Sequence, residues 1–300
     1  MSDDIIRFES ITHLHEMVGY EKPKHPLISV MHASKMPFRK EMAGARMSSN
    51  MYCIMMKSGE CDMRYGRNHY DFEEGTLVFM APNQVVSGSD SGGPWEGWML
   101  FFHPDLIRRS DLGKRIDDYT FFSYDVHEAL HLSDKEKQLL TDCVARIEDE
   151  YNTNIDAHSQ TLFVSSLQLM LDYSNRFYER QFHTRSNHHK DLLTQVEEAL
   201  KNYADSGQLT DLGVPTVQLL ADKVNLSANY LSDLLKKETG HNAKEHINRF
   251  VIDKAKTLLL STNQSVSQIA YDLGFNYPHY FSRMFKQQTG FSPKDYRVMN

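Results

Sequence analysis

The sequence predicts an α+β chain of two differently built parts: an antiparallel β domain with a helical extension, then an all-α domain of two helix-turn-helix units joined by a long helix. Three observations predict it. Apolar residues between Leu27 and Phe102 come in short clusters separated by turn residues; after His131 the apolar spacing changes to steps of three and four; and from Leu219 onward the chain repeats itself at an interval of about 50 residues.

The β clusters are Leu27 to Met31, Met51 to Met56, Leu77 to Met80 and Trp98 to Phe102. Between them stand Lys57-Ser58-Gly59-Glu60, Glu73-Glu74-Gly75 and Ser91-Gly92-Gly93-Pro94, at a spacing suited to an antiparallel sandwich or barrel over 1–131. Ser133 then caps a helix, Glu136 is placed to close a capping box, and Leu139, Leu140, Val144 and Ile147 keep to one side. A second helix, from about His158 to Tyr178, spaces Leu162, Phe163, Leu167, Met170, Leu171 and Ser174 by threes and fours. This helical region, 132–182, either packs on its own domain or offers its stripe to a second copy of the chain. The polar, aperiodic stretch Gln181 to His189 reads as a linker, placed at 183–190, and the last domain as 191–300.

At 300 residues there is room for about two domains of ordinary size. No apolar run approaches the ~18 residues that a membrane span needs. Asp3 and Asp4 stand where a secretory signal carries positive charge, and Cys53, Cys61 and Cys143 form neither a CxxC pair nor an even disulfide set. A reducing, cytoplasmic location is therefore the expectation. The net charge of -7 is unevenly spread: from Thr184 onward there are 14 Lys and Arg against 12 Asp and Glu, whereas the first 183 residues hold 19 against 28. The acidic amino-terminal part is repelled by phosphate, and the remainder must gather its positive charge on one face to hold a polyanion.

The repeat is the most distinctive feature. LLADKVNLSANYLSDLLKKETG, from Leu219 to Gly240, answers QIAYDLGFNYPHYFSRMFKQQTG, from Gln268 to Gly290. Ala221, Val224 and Leu226 pair with Ala270, Leu273 and Phe275; after a one-residue difference in the turn, Tyr230, Leu231, Leu235, Lys236, Thr239 and Gly240 pair with Tyr280, Phe281, Phe285, Lys286, Thr289 and Gly290. Each copy reads as helix, tight turn, helix. In the second, small Ala270 admits the next helix, Gly274 ends the first, Asn276 caps the second and Pro278 occupies its first turn. Tyr280, Phe281, Met284 and Phe285 form the expected buried face. Tyr277, His279, Ser282, Arg283, Lys286 and Gln287 are left outside, with donors for base edges and phosphates. In the first copy Ser227 caps, and Ala228, Asn229, Ser232, Asp233, Lys236 and Lys237 face outward. Between the copies, EHINRFVIDKAKTLLL (Glu245 to Leu260) aligns Ile247, Val251, Ala255 and Leu258 in one stripe, with Ile252 and Leu259 beside it. Such a spacer can hold two recognition helices about one DNA turn, roughly 34 Å, apart.

GFNYPHYFSRMFKQQTGFSPKDYR, from Gly274 to Arg297, resembles the second motif of the AraC/XylS family of transcription regulators, and the resemblance extends over about Leu192 to Arg297. It implies sequence-specific binding to double-stranded DNA through both motifs. It also implies an amino-terminal cupin-like β-barrel that senses a small-molecule effector and forms a homodimer, with RNA polymerase as a further partner. The stretches Gly75 to Pro82 and GWMLFFHPDL, from Gly97 to Leu106, are similar to such barrels. Carried over by motif, the base-reading positions are Asn229, Ser232 and Asp233 in the first unit and His279, Ser282 and Arg283 in the second; Asn276 joins them as a DNA contact, and Lys236, Lys237 and Lys286 as phosphate contacts. The sequence departs from the family at Asp233, where some relatives carry arginine. A carboxylate there can accept from cytosine but repels phosphate, which makes Arg283 the stronger base reader of the two units.

No metal, cofactor or catalysis is expected. His13 and His15 form an HxH pair, but they are read as preceding the strands and lack the spaced Glu and His of a cupin metal site; His69 and His103 are isolated; and His183, His188 and His189 lie in the linker. A barrel interior can still hold one small ligand, for which His25, Arg39, Tyr52, Trp95 and Trp98 are the candidate lining, against the reading that these aromatics are plain core. The alternatives to a ligand-responsive regulator are a cupin metalloenzyme with a DNA-binding tail and an architectural DNA binder without an effector.

Overall fold

The computed structural model describes residues 5–37, 45–58, 75–87, 96–125, 128–184 and 186–299. It divides into two compact units, Met1–His183 and Thr184–Asn300.

In the first unit, strands β1 (Ile6–Phe8), β3 (Arg46–Ser49) and β6 (Val85–Ser87) form a small sheet in the order β1-β3-β6, with β1 parallel to β3. Strands β2 (Ile28–His32), β4 (Tyr52–Ser58), β5 (Thr76–Met80), β7 (Glu96–Phe102) and β8 (Leu130–His131) form a larger antiparallel sheet in the order β2-β7-β4-β5-β8. The four expected clusters correspond to β2, β4, β5 and β7. The short strands of the small sheet had no apolar cluster to announce them. Helix α1 (Ile11–Val18) carries His13 and His15, so the HxH pair follows β1 rather than preceding the strands. Ser10 caps α1, and its buried side chains Ile11, Leu14 and Val18 follow the helical period.

Strand alternation gives the large sheet two different faces. On one, Ile28, Phe102 and Tyr52 lie side by side, as do Val30, Leu100 and Ile54. This face meets Phe121 and Phe122, with Phe79 4.3 Å from Phe121 and Tyr52 4.9 Å from Phe122 between ring centres. On the other, Met31, Met99 and Met55 form a row across β2, β7 and β4, and Phe101, Cys53 and Met80 form a second row. These residues share a core with Phe8 of the small sheet, Ile11 and Leu14 of α1, and Met51 just before β4. Burial pushes the Cys53 thiol well above its ordinary pKa, so it stays protonated. His15, also buried, is 2.8 Å from Ser29 Oγ through Nε2 and bonds the Glu21 carbonyl through Nδ1, which ties α1 to β2.

Short helices α2 (Pro104–Ile107) and α3 (Asp111–Arg115) follow β7. Helix α4 (Asp134–Tyr151) opens on the expected capping box of Ser133 and Glu136 and buries Leu140, Cys143, Val144 and Ile147. Helix α5 (Ser159–Thr184) buries Phe163, Leu167, Met170, Leu171 and Ser174, but Leu162, expected in that stripe, is exposed. At its far end Arg180 forms a two-pronged pair with Glu136, at 2.7 and 3.0 Å, and donates to the His131 carbonyl; Gln181 accepts from the His131 N–H. The segment expected as an irregular linker is helical on both sides of residue 185, because α5 runs to Thr184 and α6 (Ser186–Asp205) begins at once.

The second unit continues with α7 (Gln208–Leu212), α8 (Val217–Lys223), α9 (Ala228–Thr239), α10 (Ala243–Ser261), α11 (Val266–Asp272), α12 (Pro278–Thr289) and α13 (Pro293–Met299). Helix α10 is the spine: Val251, Ile252, Ala255 and Leu259 share one core with Ile269, Ala270 and Leu273 of the α11 segment and Phe281 and Phe285 of α12. Tyr203 and Leu209 join it from α6 and α7. The turn after α11 is docked on the end of α7. Gly274, at φ +83°, leaves no room for a side chain, since a Cβ would lie 2.5 Å from the Leu209 carbonyl oxygen and 2.6 Å from the Gly213 carbonyl carbon. Tyr203 Oη donates to the Gly213 carbonyl at 3.0 Å and Thr210 Oγ1 to the Asp272 carbonyl at 3.2 Å.

This docking sets an order between two glycines. Gly274→Ala should destabilise the second unit by roughly 2 to 4 kcal/mol, the left-handed backbone and the forced overlap each contributing. Gly240→Ala, at φ +78° with nothing within 4 Å of the added carbon, should cost only about 1 to 2 kcal/mol. Urea unfolding monitored by helical dichroism reads both, and equal losses would contradict the docking of this turn.

Candidate nucleic-acid interface

The two motifs, α8–α9 and α11–α12, are the same local structure built twice. At the turn of the first, Asn225 takes the left-handed backbone (φ +56°) that Gly274 takes in the second, and asparagine tolerates it better than other side-chain-bearing residues do. The Leu226 N–H donates to the Ala221 carbonyl at 3.0 Å; in the second copy the Phe275 N–H donates to Ala270 at 2.9 Å. Each recognition helix ends alike: Gly240 N–H to Lys236 and Gly290 N–H to Lys286, both at 2.9 Å, with the Thr239 and Thr289 hydroxyls each donating to the carbonyl four residues back at 2.8 Å. The likeness runs past the helix-turn-helix. Asn242 and Ser292 accept from the N–H groups of Glu245 and Asp295, so α13 opens as a short counterpart of α10.

The copies differ in their starts and in what they bury. Helix α9 is capped by Ser227, whose hydroxyl accepts from the Tyr230 N–H. Helix α12 has Tyr277 at the cap position and no side-chain cap, so Asn276, expected as the cap, lies one residue earlier; Pro278 removes one of the donors that a cap would satisfy. Helix α9 buries four side chains, Tyr230, Leu231, Leu234 and Leu235, whereas α12 buries only Phe281 and Phe285. Tyr280, expected on the buried face with Phe281, Met284 and Phe285, is therefore outside: its counterpart Tyr230 is 4% exposed and Tyr280 49%. It sits at the edge of a narrower apolar stripe.

All the candidate DNA contacts lie on α9 and α12 or just before α12. Asn229, Lys236 and Lys237 are exposed and Ser232 and Asp233 part-buried on α9; Asn276, His279, Arg283 and Lys286 are exposed and Ser282 part-buried around α12. The second set is crowded by rings. Arg283 stands 5.4 Å from the centre of the Tyr280 ring, Tyr280 lies 4.3 Å from His279, and Tyr277 lies 5.7 Å from His279. Behind α9, His246 Nε2 is 2.7 Å from Thr239 Oγ1, linking the end of the recognition helix to α10, and burial holds its pKa below the ordinary value.

Of the candidate ligand residues, Tyr52, His25 and Trp98 are among the described residues. Tyr52 stacks on Phe102, His25 packs edge-on to Phe163, and Trp98 is buried beside Met56 and His32. Tyr52, Trp98 and their neighbours thus belong to the face of the large sheet that meets the aromatic core, opposite the methionine rows. A sequence gives strand alternation but not which face is enclosed. Arg39 and Trp95 lie outside the described residues, as do Cys61 and His69. Among the described residues no three His, Cys, Asp or Glu gather as a metal site.

Residues 220–299 match the family described as a helix-turn-helix domain, and residues 54–162 match the AraC-like ligand binding domain. The chain is 36% identical over 143 residues to the uncharacterized HTH-type transcriptional regulator YfiF of Bacillus subtilis, covering 47% of this chain and 41% of that one. It is 38% identical over 78 residues to the HTH-type transcriptional activator RhaS of Citrobacter koseri, covering 26% and 28%. Among solved structures, the C-terminal domain of the two-component response regulator yesN from Fusobacterium nucleatum is 34% identical, with 34% of this chain and 96% of that one covered and a TM-score of 0.30. The chain spans less than half the length of these curated relatives.

The carboxylate on α9 gives a direct test of that helix. Asp233→Asn should raise affinity for all duplexes by about 0.5 to 1 kcal/mol at low salt, with the gain fading as salt rises. Binding isotherms at several salt concentrations check it. A selective loss at one C·G pair would instead mean that Asp233 accepts from cytosine.

Proposed function

The chain belongs to the AraC family of transcriptional regulators, and we propose that it acts as a one-component, effector-controlled regulator that grips double-stranded DNA with α9 and α12. The observation that carries this reading is the outward face of α12, where Arg283, His279 and Lys286 are exposed together on a helix whose inner face is held by α10. Arg283 reads a base edge, His279 and Ser282 read beside it, and Asn276 and Lys286 contact the backbone. On α9, Asn229, Ser232 and Asp233 face bases, and Lys236 and Lys237 face phosphate. With the part-buried carboxylate of Asp233 on its outer side, the first unit mainly positions the protein.

The effector belongs to the first unit, which matches a ligand-binding domain. The methionine rows opposite the aromatic core are the surface we assign to it, because Met55, Met80 and Met99 are only partly buried there and thioethers adapt to a ligand's shape. The helical region serves homodimer formation through the outer side of α5, where Leu162 and Leu169, two turns apart, are 50% and 42% exposed. By analogy with the relative named as an activator, the bound regulator recruits RNA polymerase. This reading has no enzymatic step and places the protein in the cytoplasm; among the described residues no helix is long and apolar enough to cross a membrane.

Mobility shifts on the DNA upstream of its own gene should give a sequence-selective, salt-sensitive complex, and its absence with and without candidate effectors would overturn the proposal. Within that complex, Arg283→Ala should cost ~1 to 3 kcal/mol and relax preference at one base pair. Lys286→Ala should weaken all duplexes alike and flatten the salt slope by about one. A stoichiometric transition metal in the purified protein would favour a cupin enzyme instead. Effector screens that move neither melting temperature nor DNA affinity would favour an architectural binder.

A further inference from the structure

The geometry points to Tyr280 as the residue that positions Arg283, so that the ring, rather than the arginine alone, sets the base preference of the second motif. The inference rests on the proposed role of α12 in DNA. Three observations carry it. Tyr280 is 49% exposed, whereas its counterpart Tyr230 is 4% exposed, so the second ring is not spent on the core. The Arg283 guanidinium lies 5.4 Å from the Tyr280 ring centre, one helical turn along, within the range of a cation–π contact. The ring also has two ring neighbours, His279 at 4.3 Å and Tyr277 at 5.9 Å between centres.

An arginine that reads the O6 and N7 of guanine must hold its planar fork in the plane of the base. On an exposed helix a free arginine side chain has many rotamers, and ordering it on binding costs entropy. The Tyr280 ring, packed by His279 and lying against Arg283, restricts those rotamers before DNA arrives. The first motif lacks the device entirely, since Asp233 occupies the position of Arg283 and Tyr230 is inside. Sequence pairing hid it, because the two tyrosines align and only their surroundings differ.

Selection of random duplexes with the full chain defines the preferred site, and competition against duplexes altered at single base pairs then measures discrimination. Tyr280→Leu should lower discrimination at one G·C pair by roughly two- to fivefold, the size of an exposed cation–π contact. Its salt slope should match that of the wild type, because no phosphate contact is removed. Tyr280→Phe, which keeps the ring, should retain most of the discrimination. In the Arg283→Ala background Tyr280→Leu should have no further effect at that base pair. Equal discrimination by wild type and Tyr280→Leu, or a full independent loss in the Arg283→Ala background, would overturn the positioning role while leaving the DNA-binding reading intact. Failure of the wild type to select any sequence would overturn both. The exposed position makes Tyr280→Leu tolerable to the fold, and an unchanged melting curve verifies that.

Discussion

The carboxy-terminal unit depends on α10 burying one apolar stripe beneath two motifs. Val251, Ile252, Ala255 and Leu259 share a core with the inner faces of α11 and α12, while Ala243 and Ile247 are buried at the end that follows α9. A helix of 19 residues at about 1.5 Å each is close to 30 Å long, comparable with one turn of duplex DNA. Because the inner faces are committed to this spine, the outer faces of α9 and α12 are what remains for a ligand. Gly274 tightens the arrangement by letting the second turn meet the end of α7 at backbone distance.

Duplication has left the motifs alike in backbone and unlike in surface. Turn, threonine stop and following cap recur almost bond for bond, as expected where backbone hydrogen bonds determine the form. Side chains that are free of these constraints have diverged. The first motif has a capped helix with four buried residues and an acid on its outer face; the second has an uncapped start, two buried residues and a ring cluster around Arg283. The division of labour follows from this: one motif is built into the fold more firmly, and the other presents more chemistry.

What could be read from the sequence followed the reach of each signal. Periodicity and caps act over a few residues, so α4, α8 to α12, the capping box at Ser133 and the left-handed glycines were legible in advance. Strands of two to four residues such as β1, β3, β6 and β8 are too short for an alternating pattern, and they emerge only by pairing. Tyr52 and Trp98 could be picked out as ligand candidates by composition, but the face of the sheet on which they stand, the one toward the aromatic core, needed the strand pairing. Tyr280 was expected on the buried face with Phe281, Met284 and Phe285, and the apolar stripe of α12 proves too narrow to enclose it.

The claim that matters most is that both recognition helices work on one duplex, held by α10. Hydroxyl-radical footprinting of the full chain on its selected site tests it directly. The account predicts protection at two patches on one face of the DNA, centred about one helical turn, roughly 10 base pairs, apart for each bound chain. A single protected patch per bound chain, unchanged when Asn229 and Ser232 are both replaced by alanine, would contradict it.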